Sequence, residues 1–160
     1  MTASTTIERL DYHEFNASAV FNQIIGRDWF LEAGYQFSRS DLDLEKPVIP
    51  ATPGYQRTTT TRADLHQVNL SATWRLPSGF FSRGEFKWYC QQLGGDGAQP
   101  PGDEFPQLNL YAGYRFPQRR GDLTFGVLNA TGQNYHLSPL NYYLEMPREP
   151  VFYMRLRLNF

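Results

Sequence analysis

The sequence predicts an all-β protein, an antiparallel transmembrane β-barrel segment of about seven strands. Apolar and polar residues alternate with a period of two along most of the chain, and no segment shows helical periodicity. Short turns and long loops alternate strictly between the predicted strands, which is typical of outer-membrane barrels. A nine-residue pattern with Asn in fourth and Ala in seventh position also recurs, at 13–21 (HEFNASAVF), 66–74 (HQVNLSATW) and 106–114 (PQLNLYAGY).

The bulk composition narrows the class of protein. Its 160 residues are enough for one domain, and a net charge of −1 does not indicate a nucleic-acid partner. One cysteine excludes a disulfide framework and a site with several thiolate ligands. The mean hydropathy is −0.53 and no apolar run approaches the roughly 20 residues of a transmembrane helix. Membrane strands remain possible, because their alternating residues average to a hydrophilic score.

The first four predicted strands comprise residues 11–24, 28–39, 64–76 and 80–91. In each, one parity is apolar and the other polar, as in 68–76, where Val68 and Leu70 alternate with Asn69 and Ser71. Short turns join the first strand to the second and the third to the fourth, at 26–28 (GRD) and 77–79 (PSG).

The last three predicted strands comprise residues 105–117, 122–130 and 150–160, and the turn at 118–121 joins the first two of them. Long loops at 40–63, 92–104 and 131–149 make the other connections, and they are rich in Pro, Gly, Thr, Asn and Asp. We expect short turns on the periplasmic side and long loops outside. The Pro- and Thr-rich segment 40–63 is expected to be an exposed loop.

The repeated pattern marks strands that run in one direction, from a long loop or the chain start toward a short turn or the chain end. These strands begin at Asp11, Asp64, Glu104 and Pro150. The last nine residues, 152–160 (FYMRLRLNF), show the same alternation as the three copies of the pattern. The ninth residues of these four segments are predicted to lie at one level, as a periplasmic girdle of aromatic side chains. The predicted girdle consists of Phe21, Trp74, Tyr114 and Phe160.

The polar parity is expected to line the barrel lumen and the uncharged parity to contact lipid. The predicted lumen-lining residues are Arg75, Arg83, Glu85, Lys87, Asn109, Arg115, Arg155 and Arg157. On this face the Arg and Lys residues outnumber Glu14, Glu32 and Glu85, which would favour an anionic solute. The alternative is that these charges pair with one another or with a domain inside the barrel.

The sequence offers few candidates for catalysis or metal binding. His13 and His66 occupy equivalent positions of the repeat, beside Asp11 and Asp64, and two His/Asp pairs could bind a metal. The alternative is interfacial polar residues at strand ends, and Pro106 in the third copy favours it. No Ser/His/acid set falls on one face at one level, so we expect no enzyme activity, no metal and no cofactor.

The end of the chain, FYMRLRLNF, has apolar residues at every second place before a terminal Phe. It resembles the C-terminal signal of bacterial outer-membrane proteins. The resemblance implies that the outer-membrane assembly machinery recognises Phe160, Leu158, Leu156 and Met154. The segment 126–137, with Asn129 and Tyr135, followed by a loop and the final strand, is similar to the last two strands of TonB-dependent receptors.

Seven strands cannot close an antiparallel barrel, so we expect residues 1–160 to form the C-terminal portion of a larger one, with further strands, a signal peptide and any plug domain upstream. The expected function is solute uptake through the bacterial outer membrane, with the lipid bilayer as surroundings and TonB as a partner through an upstream plug. Two alternatives stay open. One is the barrel of an exporter or anchor joined to another upstream module, and the other is a soluble β-barrel binding module.

Overall fold

The computed structural model describes residues 7–48, 56–96, 102–134 and 149–159, without the side chain of Arg119. Alternating residues form seven strands: β1 (Arg9–Ile25), β2 (Trp29–Glu45), β3 (Thr58–Arg75), β4 (Phe80–Gly95), β5 (Glu104–Arg115), β6 (Gly121–Leu128) and β7 (Val151–Leu158). A 3-10 turn, Pro117–Arg119, lies between β5 and β6. The described ranges contain no α-helix, so the prediction of an all-β chain with seven strands is confirmed.

The strands form a single sheet in sequential order, and each pairs antiparallel with the next. Within the described residues the sheet is open, because β1 and β7 each have one neighbour. Since seven strands alternate in direction, β1 and β7 run the same way. The short turns lie at one end of the sheet, called the turn end below, and the longer connections lie at the other, the loop end.

Three of the strands extend into regions that the sequence predicts as loops. β2 continues to Glu45 and β3 starts at Thr58, so the predicted loop at 40–63 is too long at both ends. β4 continues to Gly95, so the predicted loop at 92–104 begins too early. The run of Thr at 58–61 pairs with the segment 42–45, residue for residue. Thr is β-branched and favours strands, and here that preference prevails over its frequency in loops.

Two of the short turns depend on glycine. Gly26 has φ 63° in the β1–β2 turn and Gly79 has φ 100° in the β3–β4 turn, where residues with a Cβ are disfavoured. The turns are also tied to their neighbours: the Arg75 N–H donates to the Asp28 carbonyl at 2.8 Å, and the Arg115 N–H donates to the Gly79 carbonyl at 2.8 Å. The turn end is therefore hydrogen-bonded across the boundaries between hairpins.

The sheet buries very few apolar side chains. Among the described residues, Ala63 and Phe105 are the buried hydrophobic ones, whereas Thr73, Gln91, Asn109, Thr124 and Asn129 are buried polar ones. A water-soluble domain of this length normally buries a large apolar core. No helix in the described part of the chain is long and apolar enough to span a bilayer.

Candidate functional site

The cross-strand register sorts the side chains into one apolar and one polar face, with the parity that the sequence predicts. Directly paired residues of an antiparallel sheet point to the same side. One row across four strands is apolar: Ala33, Leu70, Phe86 and Leu108. The adjacent row is polar: Glu32, Ser71, Glu85 and Asn109. Gln23, paired with Leu31, is a polar exception near the turn end of the apolar face. Apolar exceptions on the polar face, also toward the turn end, are Val20, Ile24, Phe30 and Phe81.

In the central strands β2 to β6, exposure on the two faces is the reverse of that in a water-soluble sheet, whereas both faces of the outer strands β1 and β7 are largely exposed. Leu110 is 45% exposed and Phe125 is 52% exposed, while Asn109 and Thr124 on the polar face are both 4% exposed. Side chains from β3 to β7 line one pocket of about 370 Å³ on the polar face. Because the polar side chains of the central strands are less exposed than the apolar ones, we infer that the sheet curves toward its polar face, called the concave face below, and presents apolar side chains on the convex face.

The convex face is apolar only over part of each strand. In β2 its apolar residues extend from Trp29 to Phe37, and in β3 they end next to His66. Beyond them, toward the loop end, the same face carries ion pairs. Arg39 donates two hydrogen bonds to Asp64, at 2.6 and 2.8 Å, and Arg62 pairs with Asp41. Glu45 accepts from Arg57 at 3.0 Å. An apolar band, bounded at the loop end by paired charges, thus crosses the sheet.

Asp64 lies outside this band. The hydrogen bond from the Arg39 guanidinium, assisted by its charge and that of Arg62, lowers the pKa of the Asp64 carboxyl below its ordinary value, against the opposing effect of partial burial. The Arg39 guanidinium also lies 5.6 Å from the centroid of the Phe37 ring. Arg39 therefore connects the ion pairs to the aromatic rings at the loop end of the band.

Aromatic side chains line the turn end of the apolar band. Trp74 stacks on Trp29 with ring centroids 6.1 Å apart, and Tyr114 lies 4.8 Å from Phe80. Of the predicted girdle, Trp74 and Tyr114 thus lie among these rings and Phe160 is outside the described residues. Phe21 is on the same face, but it pairs with Ala33, and it is Ile25 that shares a row with Trp29 and Trp74.

A second aromatic group lies at the loop end of the band, and the sequence reasoning did not identify it. His66 has its ring centroid 5.0 Å from that of Phe37, and its Nδ1 is 2.8 Å from the Tyr35 hydroxyl oxygen. Trp88 donates from its indole N–H to Glu104 at 3.2 Å. On both β2 and β4, a large aromatic residue lies eight positions beyond the one at the turn end of the band. This spacing is the sequence signal that could have revealed the second aromatic group.

The histidines considered for metal binding are separated. His66 contacts Tyr35 and Phe37, while His13 on β1 lies 3.4 Å from Asp11. Asp64 is held by Arg39. The described residues contain no group of three or more His, Cys, Asp or Glu side chains with the spacing of a metal site.

On the concave face, Glu85 is the centre of a polar network. It accepts hydrogen bonds from Tyr111 at 2.8 Å and Asn109 at 3.3 Å, and it pairs with Arg83 at 2.7 Å. These residues come from β4 and β5, where Glu85 is directly opposite Asn109. All eight residues predicted to line a lumen lie on this face: Arg75, Arg83, Glu85, Lys87, Asn109, Arg115, Arg155 and Arg157.

Asp122 belongs to the same face, and the sequence reasoning missed it. It lies directly opposite both Arg115 and Arg157 in the sheet. Its carboxylate is 3.8 Å from Arg157 and 3.9 Å from Arg155. The predicted strand 122–130 begins at this residue, and an acidic residue beside a turn fits the turn as well as the strand. Thr124, two residues later, has the same parity and was predicted on the polar face, so it was the sequence signal that places Asp122 on that face.

Met154, Leu156 and Leu158 of the predicted assembly signal project from the convex face of β7, opposite Phe125, Leu123 and Gly121 respectively. All three are exposed. Phe160, the last residue of the signal, lies outside the described residues.

The comparisons with known proteins do not extend these observations. No protein-family model matches the chain, and no curated protein or solved structure matches it.

Proposed function

We propose that this sheet is part of the wall of a bacterial outer-membrane β-barrel that transports a solute, similar to a TonB-dependent receptor. The observation that carries the proposal is the reversed exposure of the two faces. Large apolar side chains such as Leu110 and Phe125 are exposed, and polar ones such as Asn109 and Thr124 are buried. Lipid would solvate the convex face favourably, whereas in water the exposed half of each such side chain would be unfavourable by about 1 kcal/mol.

The dimensions of the apolar band support the proposal. In β2 the band runs from Trp29 to Phe37, which is nine residues. A tilted strand needs about 9–11 residues to cross the hydrocarbon core of a bilayer. Aromatic rings lie at both ends of the band, with ion pairs beyond one of them, as expected where a membrane meets water.

The open sheet supports the view that the wall is incomplete. An open edge in lipid would leave a row of backbone groups without hydrogen bonds, so a membrane barrel has to close. The outer strands β1 and β7 run in the same direction and could pair with each other only in parallel. An odd number of further strands would close the sheet antiparallel and give the even total of bacterial barrels.

The unequal connections suggest an orientation. The short turns would lie in the periplasm and the longer connections outside, where they would contact the solute. A transport function is preferred because the concave face is polar across β3 to β7 and would line a water-filled or plugged lumen. A barrel that serves an exporter or an anchor has the same wall, so a flux measurement on the full-length protein in liposomes is needed to separate these functions.

Contact with lipid can be tested directly through the three tryptophans. Trp29, Trp74 and Trp88 all lie on the convex face, the first two at the turn end of the band and the third toward its loop end. We expect phospholipids brominated on their acyl chains to quench the fluorescence of the protein reconstituted in vesicles. Bromines near the headgroups should quench more strongly than bromines near the chain ends, because the indoles lie at the edges of the band.

The matched pair of variants is Ala17→Trp, in the apolar band, and Gln67→Trp, on the concave face, each in a background with the three native tryptophans replaced by Phe. Quenching of the Ala17→Trp variant but not of the Gln67→Trp variant would support the proposal. Equal quenching of both variants, or native strand content and full solubility without detergent, would contradict it and favour a soluble binding module.

A further inference from the structure

We infer that the concave face carries a binding site for a small solute with two or more phosphate or carboxylate groups, centred on Arg75 and Arg115 near the turn end. The inference deepens the proposed function and rests on it, since it names the class of solute that the lumen of the barrel would hold. Five guanidinium groups and two carboxylates line a single pocket of about 370 Å³: Arg75, Arg83, Arg115, Arg155, Arg157, Glu85 and Asp122.

The pocket has an uncompensated positive charge. Arg83 pairs with Glu85 at 2.7 Å, and Arg155 and Arg157 share Asp122 at 3.8 to 3.9 Å. Within the described residues, no carboxylate pairs with Arg75 or Arg115. The pocket as a whole therefore has a surplus of three positive charges, although the net charge of the chain is −1. The charge is concentrated here rather than spread over the protein.

The backbone of both Arg75 and Arg115 is held in place by the sheet. Each is the last residue of its strand, and each donates a backbone hydrogen bond of 2.8 Å to a neighbouring turn, Arg75 to Asp28 and Arg115 to Gly79. Their side chains line the pocket from β3 and β5, with β4 between them. Two guanidinium groups on separate strands would contact different oxygens of a polyanion, which favours a multivalent solute over a single halide.

The remaining lining suits a solute that is polar at several points. Thr73 offers a hydroxyl group and Tyr153 a phenolic one. The hydroxyl groups of Tyr111 and Thr124 already donate to Glu85 and Asp122, and Phe81 is the apolar member of the lining. Several cationic groups in one pocket raise the local positive potential, which attracts an anion.

The test is isothermal titration calorimetry of pyrophosphate, with citrate as a second probe, into the full-length protein in a zwitterionic detergent. We expect saturable binding that weakens as salt is added. The variant Arg75→Gln/Arg115→Gln should lower the affinity at least about tenfold, since it removes two charge-assisted contacts. Arg57→Gln is the matched control, because it removes a guanidinium that pairs with Glu45 at the loop end.

Affinity that falls in the double variant and not in the control supports the site. Equal affinity in the double variant, or an equal loss in the control, overturns it. Absence of binding by the wild type, with strong binding of an acidic peptide, also overturns it and assigns the pocket to a protein segment. Failure of the proposed function is seen separately: loss of lipid contact would abolish quenching by brominated lipids and loss of transport would abolish flux in liposomes, and neither would change the calorimetry.

Discussion

The side chain of Asn109 joins two parts of the concave face: its Oδ1 accepts the backbone N–H of Asn129 at 2.9 Å, and its Nδ2 donates to Glu85 at 3.3 Å. Asn129 has φ 49° just after β6, and it in turn holds Gln133 through two hydrogen bonds of 3.1 Å. One buried amide thus connects the Glu85 network to the start of the connection between β6 and β7.

Replacement of Asn109 by Ala should therefore lower the free energy of unfolding by about 1–3 kcal/mol, because a buried backbone N–H loses its acceptor. The measurement is a urea titration of the full-length protein in lipid vesicles, followed by tryptophan fluorescence. Gln67→Ala is the control, since Gln67 lies on the same face in β3. An Asn109→Ala effect no larger than that of the control would contradict the role assigned to this amide.

Gly126 should accept a larger residue only if the ring of Tyr153 moves. It lies between Tyr111 and Tyr153 in the sheet, and a Cβ at this position would be 2.6 Å from Cζ of Tyr153. Gly126→Ala should cost about 1–3 kcal/mol in the free energy of unfolding, because the Tyr153 ring has to move. The same urea titration measures this loss.

The control for Gly126→Ala is Gly94→Ala, where a Cβ would have no atom within 4 Å. The double variant Gly126→Ala/Tyr153→Ala should show a smaller cost for the alanine at 126 than the single variant does. Additive costs would mean that the ring over Gly126 is not the source of the strain.

Much of the fold could be predicted from the sequence because the residues that determine it are local. The alternation that places Leu70 and Asn69 on opposite faces needs only a period of two, and the hairpin turns need only GRD at 26–28 and PSG at 77–79. The extent of β2 and β3 could not be predicted, because Thr58–Thr61 fits both a loop and a strand. The pairing of Thr60 with Asp43, 2.6 Å from Thr60 Oγ1 to the carboxylate, depends on a partner in another strand.

In the candidate site, too, local features could be predicted from the sequence and features that depend on strand pairing could not. The face of Arg75 and Arg115 follows from parity, but the ion pairing of Asp122 with Arg155 and Arg157 depends on the register of β6 against β7. The register also separates Phe21 from the row of Trp74, since the repeated pattern contains no information on how far each strand continues past its ninth residue. Long-range pairing is what a single sequence leaves open.

Leu110→Arg should cost about 2–4 kcal/mol in the free energy of unfolding from vesicles, if the convex face contacts lipid at mid-depth. Leu110 lies in mid-strand on β5 and is 45% exposed, so a soluble protein would accept arginine there at little cost. Gln67→Arg on the concave face is the matched control. Asn109, beside Leu110, is unsuitable because of its hydrogen bonds. Equal effects of the two arginines would refute the assignment of faces.

Deletion of Phe160 should reduce the amount of full-length protein in the outer membrane, if the assembly machinery recognises the apolar alternation of β7. Met154, Leu156 and Leu158 on the convex face provide that alternation. The amount is measured by immunoblot of membrane fractions, with Arg155→Gln as a control that leaves the convex face of β7 unchanged. Unchanged levels after deletion would remove the main support for the assembly signal.

The ion pair between Arg39 and Asp64 should make stability depend on pH in the acidic range. The folded protein has a lowered Asp64 pKa, so the unfolded chain binds more protons as the pH falls toward the ordinary value of this carboxyl. The contribution of the pair is therefore fully present above about pH 5 and is lost as the pH falls through the folded pKa. Because the pair is largely exposed to solvent, which screens it, we expect its contribution to be small.

The variant Asp64→Asn separates this contribution from the other acidic groups. Urea titrations at pH 7 and at about pH 3 should show a smaller loss of stability on acidification for Asp64→Asn than for the wild type, because the amide does not titrate. Asp28→Asn, in the β1–β2 turn, controls for the removal of one negative charge. If acidification lowered the stability of wild type and Asp64→Asn by the same amount, the bidentate contact with Arg39 would contribute nothing at the loop end of the band.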